Sequence, residues 1–222
     1  MSDGKAAITG IMTPDQFIRA NAVLMSPPLT PELRLHLATE IVPLWRRTEE
    51  ELEAMGVPPP YWAFAWAGGQ ALARYVLDNP ELVAGKRVLD FGAGSGVVAL
   101  AAAKAGAASV LAADIDKFSV AAIQANALAN GLTVATTSDD LIGGSEDFDI
   151  ILVGDMCYER PLAERLMAWL KSSAAEILLG DPGRAYFPKE GLVRLAQYNV
   201  ATTRELEDRE IRETGVWKLI RG

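Results

Sequence analysis

Nine residues restrict the fold of this chain more than any others: Val88-Leu89-Asp90-Phe91-Gly92-Ala93-Gly94-Ser95-Gly96, an apolar run that enters three alternating glycines and then the alanine-rich segment Val97 to Ala105. The pattern predicts a strand, a tight turn and a helix. Glycine permits backbone angles that a Cβ forbids, and it lets a ligand approach the main chain closely. A helix starting here would offer free N–H groups, but no Gly-Lys-Ser/Thr follows, which excludes the phosphate cradle of a nucleotide hydrolase. A dinucleotide fingerprint would need a small residue at position 97, where the chain has the β-branched Val97. Taken alone, the turn reads equally well as a ligand cradle and as a plain strand-to-helix connection.

Composition narrows the partners. At 222 residues the chain suits one domain with a sizeable core, half its residues are hydrophobic, and no apolar run reaches membrane-spanning length. One cysteine, Cys157, excludes an internal disulfide, and with the single histidine, His36, it leaves no usual soft-metal set. A net charge of −8 disfavours nucleic acid as a partner. Met1 to Gly10 carries neither a basic flank before an apolar core nor an arginine-rich amphipathic pattern, so nothing in it asks for export or organelle import, and the single cysteine makes the expected compartment reducing.

The spacing Gly-x-Gly-x-Gly preceded by Asp90 resembles motif I of the seven-stranded S-adenosylmethionine-dependent methyltransferases. That resemblance implies S-adenosyl-L-methionine as cofactor, with Asp90, Gly92 and Gly94 in its site. The residues downstream fit. Ala108 to Ala113 predicts a buried strand ending at Asp114, and Lys117 to Asn130 a helix capped by Asp116 and stopped by Gly131, which makes a parallel β-α-β-α run. Asp114 stands where an acid at the end of the second strand accepts hydrogen bonds from both ribose hydroxyls. Thr133 to Thr137 is a third strand, and Asp139 or Asp140 beyond it meets an adenine amino group or forms a polar turn. Asp140 is preferred because Leu141 follows it and can pack on the adenine ring.

Upstream, Thr13 caps a helix that begins at Pro14, carries Phe17, Ile18 and Val23-Leu24 inward, and ends at Pro27-Pro28. Leu33, Leu35 and Leu37 alternate with Arg34 and His36 as in a half-buried strand, although neighbouring Leu29 and Ile41 also suit a helix. Pro43 opens a helix through Trp45 to Met55 with a solvated acidic face at Thr48 to Glu51, stopped by Gly56 and Pro58-Pro59-Pro60. Tyr61-Trp62-Ala63-Phe64-Ala65-Trp66 then leads into a helix over Gly69 to Leu77. Its rings suit a core anchor, and one of them, Trp66 by preference, a wall of the cofactor pocket.

Phe148 to Val153 predicts a central fourth strand running into Gly154-Asp155-Met156-Cys157-Tyr158, a segment that should face the glycine turn across the sheet, with Gly154 beside the cofactor. Pro161 opens a helix to Leu170, Glu176 to Leu179 is a fifth strand, and Gly180-Asp181-Pro182-Gly183-Arg184 is a turn that either contacts a protein substrate or is purely structural. A further helix is expected from Lys189 to Gln197, and then an antiparallel pair, Val200 to Arg204 and Ile211 to Ile220, joined by the acidic turn Glu205 to Glu210.

The expected architecture is α/β: a doubly wound, Rossmann-like seven-stranded sheet with a C-terminal antiparallel pair, residues 1–60 forming an extension that packs on a domain of residues 61–222. Tyr61-Trp62-Ala63 with Trp66-x-Gly68-Gly69-Gln70, Asp155-Met156-Cys157-Tyr158 and Gly180-Asp181-Pro182-Gly183-Arg184 together resemble the lysine methyltransferases of the electron transfer flavoprotein β subunit. A monomer with no membrane partner is expected, and the resemblance implies a cytoplasmic protein-lysine N-methyltransferase acting on that subunit, with an Asp/Glu-x-x-Tyr/Phe motif at Asp155 and Tyr158. There Asp155 would bind and aim the amine, with proton transfer to water as a second reading, and Tyr158 would supply a ring wall and a hydroxyl acceptor. Two rivals stand beside it. A nucleic-acid amine methyltransferase carries Asn/Asp-Pro-Pro-Tyr/Phe where this chain has Asp-Met-Cys-Tyr, and a non-catalytic S-adenosylmethionine-binding protein would need neither Asp155 nor Tyr158.

Overall fold

The structure, a computed structural model, describes residues 13–39, 59–144, 147–202 and 211–220. The helix expected over Pro43 to Met55 and the acidic turn Glu205 to Glu210 lie outside the described residues. Helix α1 (Pro14–Asn21) starts as its sequence dictates: Gln16 donates its backbone N–H to Thr13 Oγ1, and Thr13 donates its own to Gln16 Oε1. It stops earlier than expected. Ala22 is extended, and Val23 and Leu24, expected on the helix, belong to strand β1 (Val23–Met25), which pairs antiparallel with β2 (Leu35–Leu37). The β-branched Val23 finds a cross-strand partner in Leu37, and that pairing outweighs one more helical turn.

The main sheet has the order β5-β4-β3-β6-β7-β9-β8. Strands β3 (Arg87–Phe91), β4 (Ser109–Ala113), β5 (Ala135–Thr137), β6 (Ile150–Gly154) and β7 (Glu176–Asp181) are parallel. Strands β8 (Leu192–Ala201) and β9 (Ile211–Leu219) close it antiparallel. Helices α2 (Ala67–Asp78), α3 (Val97–Lys104) and α4 (Lys117–Asn130) cover one face, and α5 (Arg160–Ser172) the other. Strand residues alternate between these layers. Val88, Ile150 and Leu152 pack under α2 and α3, whereas Leu89, Ile151 and Val153 pack under α5. Each such Leu or Ile withdrawn from water contributes about 1.5–3 kcal/mol, so both faces hold the central strands in place.

One expected element is of the wrong type. The helix read over Lys189 to Gln197 is instead the first part of β8, paired from Leu192↔Leu219 to Ala201↔Ile211 with a bulge between Arg194 and Ala196. Leu, Ala, Arg and Gln favour helix locally, but β9 leaves an open row of backbone groups that only a strand can satisfy. Stacking of Arg194 over the Trp217 ring, 5.7 Å from its centroid, adds to the pairing.

Candidate active site

The chain fills one side of the sheet with β3, β4 and β5 and then crosses back to β6, so the strand order reverses between β3 and β6. In such a sheet the carboxyl ends flanking the reversal form the ligand crevice. β3 ends in the glycine turn, and Gly92, Gly94 and Gly96 all have left-handed φ, 67°, 51° and 78°. Gly92 and Ala93 donate to the Ala113 carbonyl, at 2.9 and 3.1 Å, which ties the turn to the end of β4. Asp114, the next residue, accepts from Gly94 N–H on Oδ2 at 2.8 Å and from Asp116 N–H on Oδ1 at 3.0 Å. Each oxygen therefore keeps a lone pair, and the side chain is half-buried. Burial raises its pKa, opposed by those two N–H groups and by Ser119.

Asp90 sits one layer below. It is buried beneath α3 and accepts from Ala99 N–H at 2.8 Å, and burial, then the charge of Asp114, push its carboxyl up to about 7. Its visible bond is to the helix that follows the turn. Asn126, which sequence reading passed over, fixes the turn from the other side: it donates to Ser95 O at 2.9 Å and accepts from His36 N–H at 2.7 Å. The lone histidine thus links β2 to the turn through α4. No motif marks Asn126, because its partners lie 31 and 90 residues away.

β6 ends at Gly154 and runs on into Asp155, and β7 ends in Gly180-Asp181. Asp155 has φ 59°, the one left-handed non-glycine among the described residues, a conformation costing about 1 kcal/mol or more that the surroundings must enforce. Its backbone N–H donates to Gly180 O at 3.0 Å, and the side chain turns back under α2. There Oδ2 accepts from Gly68 N–H and Gly69 N–H, so the carboxylate caps the first turn of α2. Glycines make this possible. A Cβ on Gly68 would collide with the Gly180 carbonyl oxygen, and one on Gly180 with that of Gly68. Oδ1 faces Arg184, whose Nε donates at 2.8 Å and whose Nη2 lies 2.6 Å away.

Arg184 belongs to the turn after β7, where Asp181 Oδ1 accepts from the N–H groups of Gly183 and Arg184, both at 2.7 Å. Asp181 Oδ2 is buried without a hydrogen-bond partner among the described residues. Burial, with the nearby Asp155 charge, pushes the Asp181 carboxyl up to about 7 against the bonds from Arg184 and Gly183.

The aromatic segment divides its labour. Trp62 is fully buried against Phe17, ring centroids 6.5 Å apart, and anchors the 3₁₀ turn Tyr61–Ala63. Trp66, half-buried, donates Nε1–H to Tyr61 O at 3.0 Å and lies under the Arg184 guanidinium, 5.8 Å from its ring centroid. Tyr61 reaches both Trp66, at 6.2 Å, and Tyr158, at 5.9 Å. Burial, then Tyr61, push the Tyr158 phenol up to about 12, so it stays protonated at neutral pH.

The Asp155–Tyr158 segment meets the glycine turn directly: the Met156 thioether occupies the space a Cβ on Gly92 would need. Gly154 packs on Gly69. Cys157 is buried and its thiol is pushed up to about 12 by burial and the charges of Asp181 and Asp155, which removes it as a nucleophile. At the far end of the crevice Asp140 is exposed, pairing with Arg165 at 2.9 Å and accepting from Ile142 N–H at 3.0 Å, beside the half-buried Leu141. Arg165 holds its carboxyl below the usual range. Among the described residues no His/Cys/Asp/Glu group is set to hold a metal, and no helix is long and apolar enough to cross a membrane.

This sheet order, with a glycine turn at its reversal point and an acid at the end of the neighbouring strand, defines a seven-stranded methyltransferase. The family model described as ribosomal protein L11 methyltransferase (PrmA) matches residues 70–172. The crystal structure of magnesium protoporphyrin IX methyltransferase from Synechocystis PCC 6803 with bound SAM shares the fold, at 18% identity and a TM-score of 0.51 over 68% of this chain and 77% of that one. Over 219 residues the chain is 40% identical to the electron transfer flavoprotein beta subunit lysine methyltransferase of Xenopus laevis, covering 94% of this chain and 88% of the relative. The Danio rerio protein of the same name is 40% identical over 206 residues, 88% and 79% of the two chains. The chain belongs to the family of electron transfer flavoprotein beta subunit lysine methyltransferases.

Proposed function

We propose that this enzyme transfers methyl groups from S-adenosyl-L-methionine to lysine ε-amines of the electron transfer flavoprotein β subunit. The observation that carries this is the meeting of the Asp155–Tyr158 segment with the glycine turn, Met156 against Gly92, in a family whose relatives bear that name. The cofactor suits the crevice. Asp114 has lone pairs left for a ribose diol, Gly92 and Gly94 keep the turn free of side chains, and Asp140 with Leu141 stands at the adenine end; Trp66, Asp90 and Gly154 complete the set. S-adenosylmethionine supplies a methyl group on a positively charged sulfur.

The chain's own residues do the rest. A lysine amine with pKa of about 10.4 arrives protonated, and Asp155 receives it as a cation and aims it between the rings of Tyr158 and Trp66. The protonated Tyr158 phenol offers an oxygen lone pair to an N–H of the amine. Loss of the amine proton goes to water, favoured by desolvation beside a positive sulfur. The net charge of −8 suits a substrate lysine set in a basic surface.

The enzyme acts as a monomer in the cytoplasm, a setting that suits its free thiol at Cys157, and residues 1–60 form an extension of the domain spanning 61–222. Incubation with labelled S-adenosylmethionine and recombinant electron transfer flavoprotein, followed by mass spectrometry, tests the reading. Lysine methylation of the β subunit is expected, reduced about a hundredfold or more in Asp155→Asn with cofactor binding kept. No label on that subunit, or a fully active variant, would overturn it.

A further inference from the structure

The Asp155 carboxylate is already saturated. A carboxylate offers about four lone-pair sites. Oδ2 takes the N–H groups of Gly68 and Gly69, and Oδ1 takes Nε and Nη2 of Arg184. An incoming ammonium therefore has to displace one set. The glycine donors are immovable, since they belong to the first turn of α2 and Gly68 is wedged against Gly180. Arg184 contributes a side chain and not helix backbone: it extends from a turn after β7, its side chain 18% exposed, and its guanidinium sits on Trp66 in the place where a substrate cation would meet carboxylate and ring together. We infer that Arg184 is a resident cation occupying the substrate amine's seat, and that lysine entry transfers the guanidinium from Asp155 to Asp181.

Asp181 is suited to receive it. Its Oδ2 is buried and lacks a hydrogen-bond partner among the described residues, and its Oδ1 already holds the backbone of Gly183 and Arg184. The side chain can swing while the turn stays fixed. With the amine bound, each carboxylate keeps one cation, so the exchange buries no unpaired charge. The device favours a slim, three-donor ammonium that can converge on one oxygen, and it keeps Asp155 paired between substrates. This rests on the proposed function, and Arg184 acts on the amine's site without touching the reacting atoms.

The test is steady-state kinetics on the β subunit with a binding measurement alongside. Arg184→Ala should lower KM about three- to tenfold with kcat within about twofold, and Asp181→Asn should raise KM by a similar factor. A tenfold fall in kcat at unchanged KM in Arg184→Ala would mean that Arg184 only holds Asp155 in place, and would overturn the inference. Independently of turnover, the ¹⁵N signal of the Arg184 Nε–H, identified by its loss in Arg184→Lys, should shift saturably as n-butylammonium is titrated into the wild-type protein. An unmoved signal overturns the exchange, and this titration decides the matter if Arg184→Ala does not fold. A wild-type enzyme that methylates no lysine would sink the proposed function, while the n-butylammonium titration would still report on the seat.

Discussion

The glycine turn and the Asp155 pocket lie at the ends of neighbouring strands, β3 and β6, yet they are assembled from different material. The turn is made of backbone, three left-handed glycines in five residues, steadied by Asp114 only twenty residues on. The pocket is made chiefly of side chains, with the backbone N–H groups of Gly68 and Gly69, from three distant segments: Trp66 to Gly69, Asp155 to Tyr158, and Asp181 to Arg184. A cofactor common to many enzymes can be held by a local motif. A particular amine has to be recognised by charge and ring placement, which only long-range contacts supply.

Glycine substitutions should separate the two regions most strongly. Gly68→Ala drives a methyl into the Gly180 carbonyl and the Asp155 carboxylate. It should cost about 1–3 kcal/mol, seen as a Tm lower by about 2–4 °C for each kcal/mol, with methyl transfer lost. Gly94→Ala meets only the Tyr61 carbonyl at an ordinary 3.6 Å, so its cost is conformational, from φ 51°: about 1–2 kcal/mol, with weaker cofactor binding by calorimetry. Equal losses of both functions in both variants would mean that the regions are not separable.

A smaller effect is expected at Asp181. Its folded pKa of about 7 lies above the ordinary 3.8, so its stabilising contribution is complete below pH 4 and is lost as pH rises towards 7. Asp181→Asn removes that slope. Denaturant titrations should show the variant gaining on the wild type by up to about 1.4 kcal/mol per pH unit between pH 5 and 7; a constant difference would refute the assignment. The smallest change belongs to Asp140→Ala. Its ion pair with Arg165 is exposed, so stability should move by less than about 1 kcal/mol, while cofactor affinity falls about three- to tenfold if the carboxylate meets the adenine. Unchanged affinity would remove Asp140 from the cofactor site.

How far each part could be read from the chain follows the same division. Helix α4 was legible to the residue, because the Asp116 carboxylate accepts from Phe118 N–H as the cap and Gly131 takes the left-handed stop. Strand β8 was not, because Leu192 to Gln197 favours helix until β9 is beside it. At the site, the placing of Asp114 against the glycine turn needed only the strand-turn-helix pattern. Asp155 could be singled out from its position after β6 as the residue that aims the amine, but nothing along the chain showed which helix its carboxylate closes. It caps α2, which precedes it by 77 residues at that helix's last residue.

By itself the sequence determined the parallel sheet, the glycine turn and its partner acid, because strand periodicity, glycine φ and helix caps are all local properties of the backbone. Only the tertiary structure decided that Gly68 and Gly180 touch, that Asp155 closes under α2, and that Arg184 reaches across to pair with it over Trp66. Those contacts depend on how whole elements pack, and no spacing along the chain records the distance between them.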